Sequence, residues 1–395
     1  MNYILFDEST RINLLPFTFT RPVADIRIGI LTIREKWEKY LGRKTSTLTE
    51  SYLGVKFPLI KEKNNILINA SILPNPKLVE EIKALKPNQA LSLGDYIIAF
   101  SSSEVDMENM GDDKSSVIEE KETDTLFTKL NDVWEIFSLN DEEIRNDFHL
   151  ITNGRKSAKL SETNRVSCKE NIFIEEGAKV EFSIINAEKG PVYIDKSAEI
   201  MEGCMVRGPF AMGEASILKM GTKVYGATTI GPYSKIGGEL NNVVIFGYSN
   251  KAHDGFMGTS VIGEWCNIGA NTNTSNLKNT YEEVKLWSYV DQTFLDTGLQ
   301  YCGLIMGDHS KCGINTMFNT GTVVGVNANV FGSGFQRNFI PSFTWGGVSG
   351  FDTYDIKKAI KVAARVYEHR GIEFDETEQN ILSAVYKITH KNRQL

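Results

Sequence analysis

Apolar side chains fall at every sixth position from Ile194 to Ile236: Ile194, Ile200, Val206, Met212, Leu218, Val224, Ile230 and Ile236. The rhythm falters, returns in a new phase at Ile262 and Ile268, and resumes at Met306, Cys312, Phe318, Val324 and Val330. Small residues recur four places after many of these anchors (Ala198, Ser216, Ser234, Cys266, Ser310, Thr316, Ala328), and glycine often follows directly, as at Gly213, Gly231, Gly263, Gly269, Gly307, Gly313 and Gly325. A helix needs apolar spacings of three and four, and a half-buried strand alternates by two; neither gives six. The period predicts a parallel β-helix. Each hexad makes one flat side of a triangular prism, three hexads make a coil, and coils stack about 4.8 Å apart. The anchor points into the prism, the small residue sits near a corner, and glycine or another residue tolerant of unusual backbone angles lets the chain turn.

Before this region the pattern changes. Tyr3–Phe6 and Ile66–Asn69 are short apolar runs that read as strands, and Leu91–Phe100 reads as a strand interrupted at Gly94-Asp95. A helix is predicted from Gly29 to Leu41, and another over Pro76–Leu85, with Leu78, Val79, Ile82 and Leu85 on one face. This alternation predicts an α/β unit with a mixed or parallel sheet. Residues 101–125, rich in Ser, Asp, Glu and Lys, read as a surface loop, and short helices over Asp132–Asn140 and Glu142–Leu150 close the unit. After the coil, Ile356, Ile360, Ala363 and Tyr367 form a helical stripe ended by Gly371. Asp375 and Glu378 resemble a capping box, and Ile381, Leu382, Val385 and Tyr386 form a second stripe. The expected organisation is an α/β domain over 1–155, a β-helix over 166–348 and a helical tail over 352–395.

The 395 residues suffice for two or three domains, and the net charge of −7 argues against a general nucleic-acid partner. No apolar run reaches the length of a membrane span. The opening Met-Asn-Tyr-Ile-Leu-Phe-Asp lacks the regions of a signal peptide, and five cysteines without a Cys-x-x-Cys pair fit a reducing compartment, so a cytoplasmic location is expected. Cys266 and Cys312 occupy inward slots and read as small buried side chains.

The break in the period, Leu240–Ser260, is where an insertion at a coil corner is expected, and insertions collect function. It contains Lys251 and His253 and is followed by a run of amide and hydroxyl side chains from Asn267 to Asn276. A neutral imidazole suits a general base for an amine or hydroxyl attacking a thioester. Asn side chains and backbone N–H groups can hold sugar hydroxyls or an oxyanion. The bland alternative is a surface-turn histidine among turn-forming residues. His309, within Met306-Gly307-Asp308-His309-Ser310-Lys311, takes an outward slot and reads as a solvated turn.

The segment Ser249-Asn250-Lys251-Ala252-His253, with Phe256 and Gly258, then Asn267-Ile268-Gly269-Ala270-Asn271-Thr272 and Asn276, resembles the acetyltransferase domain of the bifunctional N-acetylglucosamine-1-phosphate uridyltransferase/glucosamine-1-phosphate acetyltransferase family. That resemblance implies a left-handed coil, a trimer with sites between neighbouring coils, and acetyl-coenzyme A as acyl donor. It makes His253 the base and places Asn267 and Asn276 on the sugar or the donor, with Lys251 and Phe256 also at the substrate. Phe256 replaces the family's acceptor-site tyrosine, and Leu277 stands where a second tyrosine would be, so the acceptor need not be glucosamine-1-phosphate. Ser9-Thr10-Arg11, Leu15-Pro16-Phe17-Thr18 and Arg21-Pro22-Val23 follow the frame of sugar-1-phosphate nucleotidyltransferases. The glycines of their phosphate loop are absent, Val23 replaces a lysine, and Asn69-Ala70-Ser71 stands where the family has Gly-Asp holding Mg²⁺. Arg11 and Arg21 are the remaining phosphate candidates, with ordinary surface arginines as the alternative. The metal ligands are not assigned; Asp7 and Asp95 are candidates. Nearly the full length is similar to a group of bacterial proteins described as sugar nucleotidyltransferases with this two-domain layout.

The expectation is therefore a transferase: a reduced nucleotidyltransferase-like α/β domain, a left-handed parallel β-helix and C-terminal helices, assembled as a homotrimer. Its preferred activity is coenzyme A-dependent acyl transfer to an amino-sugar phosphate or sugar nucleotide. Nucleotidyl transfer in the first domain, with Mg²⁺, is the second reading, and a non-catalytic sugar-nucleotide-binding scaffold the third.

Overall fold

The computed structural model describes residues 1–94, 96–103 and 119–394. They form two compact units that interleave along the chain. Met1–Leu14, Arg21–Ile26 and Leu31–Asp132 make the first; Leu15–Thr20, Arg27–Ile30 and Val133–Leu395 make the second.

The first unit is built on a six-stranded sheet of order β2-β1-β3-β5-β4-β6. Its strands are β1 (Asn2–Phe6), β2 (Ser46–Leu48), β3 (Asn64–Asn69), β4 (Gln89–Leu93), β5 (Tyr96–Ser103) and β6 (Glu119–Glu122). β1 runs parallel to β2 and β3, whereas β5 is antiparallel to β3 and β4, so the sheet is mixed. The expected strand over Leu91–Phe100 is really the hairpin β4–β5. β6 falls in the stretch expected to be loop; four charged residues at a sheet edge leave it solvated and discourage further pairing. Most of that stretch, and the metal candidate Asp95, lie outside the described residues. Helix α1 (Ile33–Leu41) starts later than expected because Thr32 and Glu35 form a capping box, and it ends at Gly42 with φ 68°. Helix α2 (Pro76–Lys83) is capped by Asn75 and buries Leu78, Val79 and Ile82. The indole N–H of the fully buried Trp37 donates to Ile72 O at 2.9 Å.

The second unit carries α3 (Glu135–Ser138) and α4 (Asn140–Thr152) and then the β-helix. Its strands stack in parallel on three faces, and like slots meet like slots. Met212 pairs with Ile230, Ile230 with Ile245, and Ile245 with Ile262. Each of these is at most 1% exposed, so the sixfold period is the signature of one continuous apolar column. At one corner the turn is made by Ser197, Ala215, Tyr233, Tyr248, Trp265, His309, Asn327 and Phe343, all left-handed with φ between 52° and 61°. The glycines after the anchors serve close approach instead: a Cβ on Gly231 would lie 1.9 Å from Phe246 O of the next coil.

The expected insertion at Leu240–Ser260 is absent. Glu239–Gly247 and Phe256–Glu264 are continuous strands paired in register from Glu239↔Phe256 to Gly247↔Glu264. The period falters there because the coil is shortened: Ile245 follows its partner Ile230 by fifteen residues, whereas Ile230 follows Met212 by eighteen. Left-handed Asn242 and Thr259 turn the corner inside each strand. The true insertion follows Thr274, before the coil resumes at Leu304, and holds an antiparallel hairpin, Lys285–Ser288 with Thr293–Asp296.

Two early segments belong to this unit. The Phe17 ring lies 4.8 Å from that of Phe246, and Thr20 Oγ1 donates to the buried Asp308 Oδ2 at 2.7 Å. Gly29 N donates to Asn140 Oδ1, and Thr229 Oγ1 donates to Gly29 O, both at 2.8 Å. The tail forms α5 (Ile356–His369) and α6 (Glu376–Ile388), capped by Asp355 and Asp375. These helices cover one corner of their own coil. Tyr367 stacks on Trp265 with ring centroids 3.8 Å apart, and Arg370 donates to Tyr233 O and Asn250 Oδ1. His309 is therefore not a solvated turn. It is 4% exposed and stands in the aromatic column of Tyr233, Tyr248 and Trp265 under Tyr367. An outward slot is buried wherever another element packs against it.

Candidate active site

His253 is exposed, in the turn between the strands Asn250–Lys251 and Phe256–Glu264. The turn is fixed from below by Lys251. The slot of Lys251 is the one filled by Ile236 in the preceding coil, so its stem runs through the apolar interior and the residue is 1% exposed. Its Nζ donates to His253 O at 2.8 Å and to Gly237 O at 3.1 Å. Burial pushes this ammonium down to about 8, with Asp254 opposing the shift. Lys251 thus clamps the histidine's backbone from inside the prism.

The next coils add amides at the same corner. Asn271 N donates to Asp254 O, and Asn271 Nδ2 donates to Asn315 Oδ1, both at 2.9 Å. Asn273 Oδ1 accepts from Phe256 N at 2.8 Å. On the adjoining face Phe256 and Asn276 come together over Gly258, where a Cβ would lie 2.5 Å from Asn276 Nδ2 and 2.7 Å from Phe256 Cζ. Asn276 Nδ2 donates to Thr259 Oγ1 at 2.7 Å. Asn267 is exposed on a different face, beside Asn250. Asn271, Asn273 and Asn315 complete the corner. The run of amides marked the first two; nothing marked Asn315, which lies in a later repeat.

In the first unit Arg11 and Arg21 are 8% and 6% exposed, so neither is an ordinary surface arginine. Arg11 faces Asp7 at 3.3 Å and Glu50 at 3.8 Å and donates to Tyr52 Oη at 3.0 Å. Asp7 accepts from Val23 N and Thr49 Oγ1, and burial raises its carboxyl above the usual range. Desolvation would raise Glu8 too, but hydrogen bonds from Thr10 and Ser9 and the charge of Lys129 bring it down to about 2. The loop that a phosphate would approach is thus lined by carboxylates. Asn69 Oδ1 is taken by Ser71 N and Ser71 Oγ. Among the described residues no cluster of three His, Cys, Asp or Glu side chains could hold a metal ion, and no helix is long and apolar enough to cross a membrane.

Residues 3–156 match the family model described as sugar nucleotidyl transferase. The chain is 29% identical over 145 residues to a bifunctional sugar-1-phosphate nucleotidylyltransferase/acetyltransferase of Sulfurisphaera tokodaii, covering 36% of each chain. It is 35% identical over 89 residues to the bifunctional protein GlmU of Methanocaldococcus jannaschii, covering 22% of this chain and 21% of that one. The matched stretches thus span about a third and a fifth of these relatives. Among solved structures it aligns with the UDP-N-acetylglucosamine acyltransferases of Arabidopsis (15% identity, TM-score 0.25, 56% of this chain and 80% of that one) and Bacteroides fragilis (14%, 0.24, 59% and 85%). A nucleotidyltransferase-like segment at residues 3–156, followed by a hexapeptide β-helix, makes the chain similar in part to bifunctional sugar-1-phosphate nucleotidylyltransferase/acetyltransferases.

Proposed function

We propose that this protein is a transferase whose β-helix moves an acyl group from a coenzyme A thioester, with acetyl-coenzyme A as donor, to an amino-sugar phosphate or sugar nucleotide. The observation that carries this reading is the exposed His253 in a turn held rigid by an internal lysine and bordered by side-chain amides. In this mechanism His253 takes the proton from the acceptor amine as its nitrogen attacks the thioester carbonyl. The tetrahedral intermediate then expels the thiolate, which takes up a proton, and the amide remains on the sugar. Asn267 and Asn276 orient the reactants, Phe256 offers the acceptor an apolar surface, and Lys251 acts through the His253 carbonyl as a positioning residue. The working assembly is a homotrimer, in which neighbouring coils close the site, and its setting is the cytoplasm.

His253→Ala should lower kcat/KM for acetyl transfer by two to four orders of magnitude, the usual contribution of a general base, with little change in stability. A turnover equal to wild type would remove this mechanism.

The second reading, sugar-1-phosphate nucleotidyl transfer with Mg²⁺, is favoured by the family match over residues 3–156. The carboxylate-lined loop and the committed state of Arg11 count against it. Pyrophosphate release from a nucleoside triphosphate and a sugar-1-phosphate, lost in Arg11→Ala, would support it.

A further inference from the structure

The second unit holds a cavity of about 1000 Å³ on the inserted hairpin and the last coils, well away in sequence from His253. Its lining combines two chemistries. Trp287, Phe294, Phe339 and Phe351 supply aromatic surface, while Lys278, Lys285, Arg337 and Arg393 supply positive charge against a single carboxylate, Asp352. That excess of cations stands out in a chain of net charge −7.

The aromatic part is ordered. Trp287 stacks on Phe339 with centroids 4.3 Å apart and planes 13° off parallel, and Phe294 meets Trp287 edge-on at 5.3 Å. Phe294 is nonetheless 38% exposed, leaving ring surface for a further flat group. The indole N–H of Trp287 is buried with no acceptor among the described residues. A buried donor of this kind calls for a partner.

The cations divide by commitment. Lys285 pairs with Asp296 at 3.2 Å, and Lys278 donates to Glu283 O. Arg393 donates to Tyr386 O and Thr389 Oγ1. Arg337 is exposed and has no hydrogen-bond or ion-pair partner among the described residues. A guanidinium fork beside aromatic rings fits a phosphate group, and stacked rings fit a planar base. The volume falls at the upper end of that of small-molecule sites.

We infer that this cavity binds a ligand joining a planar base to phosphate: a nucleotide or a nucleotide-bearing cofactor. The inference does not require His253 to be a base. The shared chemistry has two sources in the cell, a coenzyme A thioester or a nucleoside-diphosphate sugar.

The test is calorimetric titration of the whole chain with coenzyme A, adenosine 3′,5′-bisphosphate, a UDP-sugar, adenosine and inorganic phosphate, repeated on Arg337→Ala. Saturable binding of coenzyme A and the bisphosphate, or of the UDP-sugar, identifies the source. Arg337→Ala should weaken it at least tenfold. Because Arg337 is exposed and unpaired, its variant should fold as the wild type does, which matching melting curves would verify. Inorganic phosphate binding as tightly as the nucleotides would overturn the inference, as would unchanged affinity in Arg337→Ala, or no binding by any nucleotide.

Discussion

Lys251 shows how one side chain sets both a cost and a geometry. Its stem occupies an aliphatic slot, and its ammonium donates to the carbonyls of Gly237 and His253. A lysine held down to about 8 in the folded chain and near 10.5 when unfolded gives up its proton earlier in the native state. Between those values the unfolded chain binds more protons, so stability rises with pH across that window and is lost as pH falls through about 8. Lys251→Met removes the effect. Compared with the variant, the wild type should gain about 3 kcal/mol between pH 7.5 and pH 10.5, at 1.36 kcal/mol per unit. Paired urea titrations would read this, and Lys311, which burial also pushes down to about 8, is common to both proteins and cancels. A constant difference would place Lys251 in contact with water. The same residue has a part in a misreading. The sixfold count broke first at Leu240 and Ile245, where the shortened coil brings the slots closer together, and the charge of Lys251 then hid the next inward slot, so the shortened coil looked like an insertion. His253 stands exposed in a turn, as its setting among turn-forming residues suggested.

Among the elements, those that repeat were legible and those that depend on a distant partner were not. Hexads announce themselves because each slot meets its own copy one coil away. β2 is only Ser46–Leu48, too short for a pattern, and β6 is held in its sheet by neighbours and not by its own charged residues. The hairpin insertion escaped because buried Val284 and Leu286 look like any other apolar residues of the coil. Helix α5 was legible as a stripe, but its target was not, and so His309 was misplaced. That target makes a prediction. Tyr367 is 3% exposed and lies flat on Trp265. Tyr367→Ala should cost roughly 3–5 kcal/mol, the usual range for removing a buried aromatic side chain. Denaturant unfolding would show the loss, and tryptophan emission should move to the red as Trp265 meets water. An unshifted spectrum with full stability would mean that α5 does not hold this corner.

For the molecule as a whole, the coil leaves apolar side chains on its outside. Ile184 and Met205 are register partners on neighbouring coils, 49% and 45% exposed. Adjacent exposed apolar residues of this kind suit a subunit contact, which fits the proposed trimer. Light scattering should then give three times the 44.2 kDa chain mass, and Met205→Asp should lower it. A monomeric wild type would exclude that assembly. The far end of the coil behaves differently. Thr344–Gly347, the last parallel strand on its face, is covered by Gly350–Thr353 running the opposite way. A stack of parallel rungs presents at its final rung the same unsatisfied N–H and C=O edge that recruited every rung before it, and nothing in the hexad rule says where to stop. The reversed strand occupies that edge with the chain's own backbone. It is a full stop written into the polymer: growth by a neighbour's rung is blocked on that face, where the repeat alone would leave the edge open.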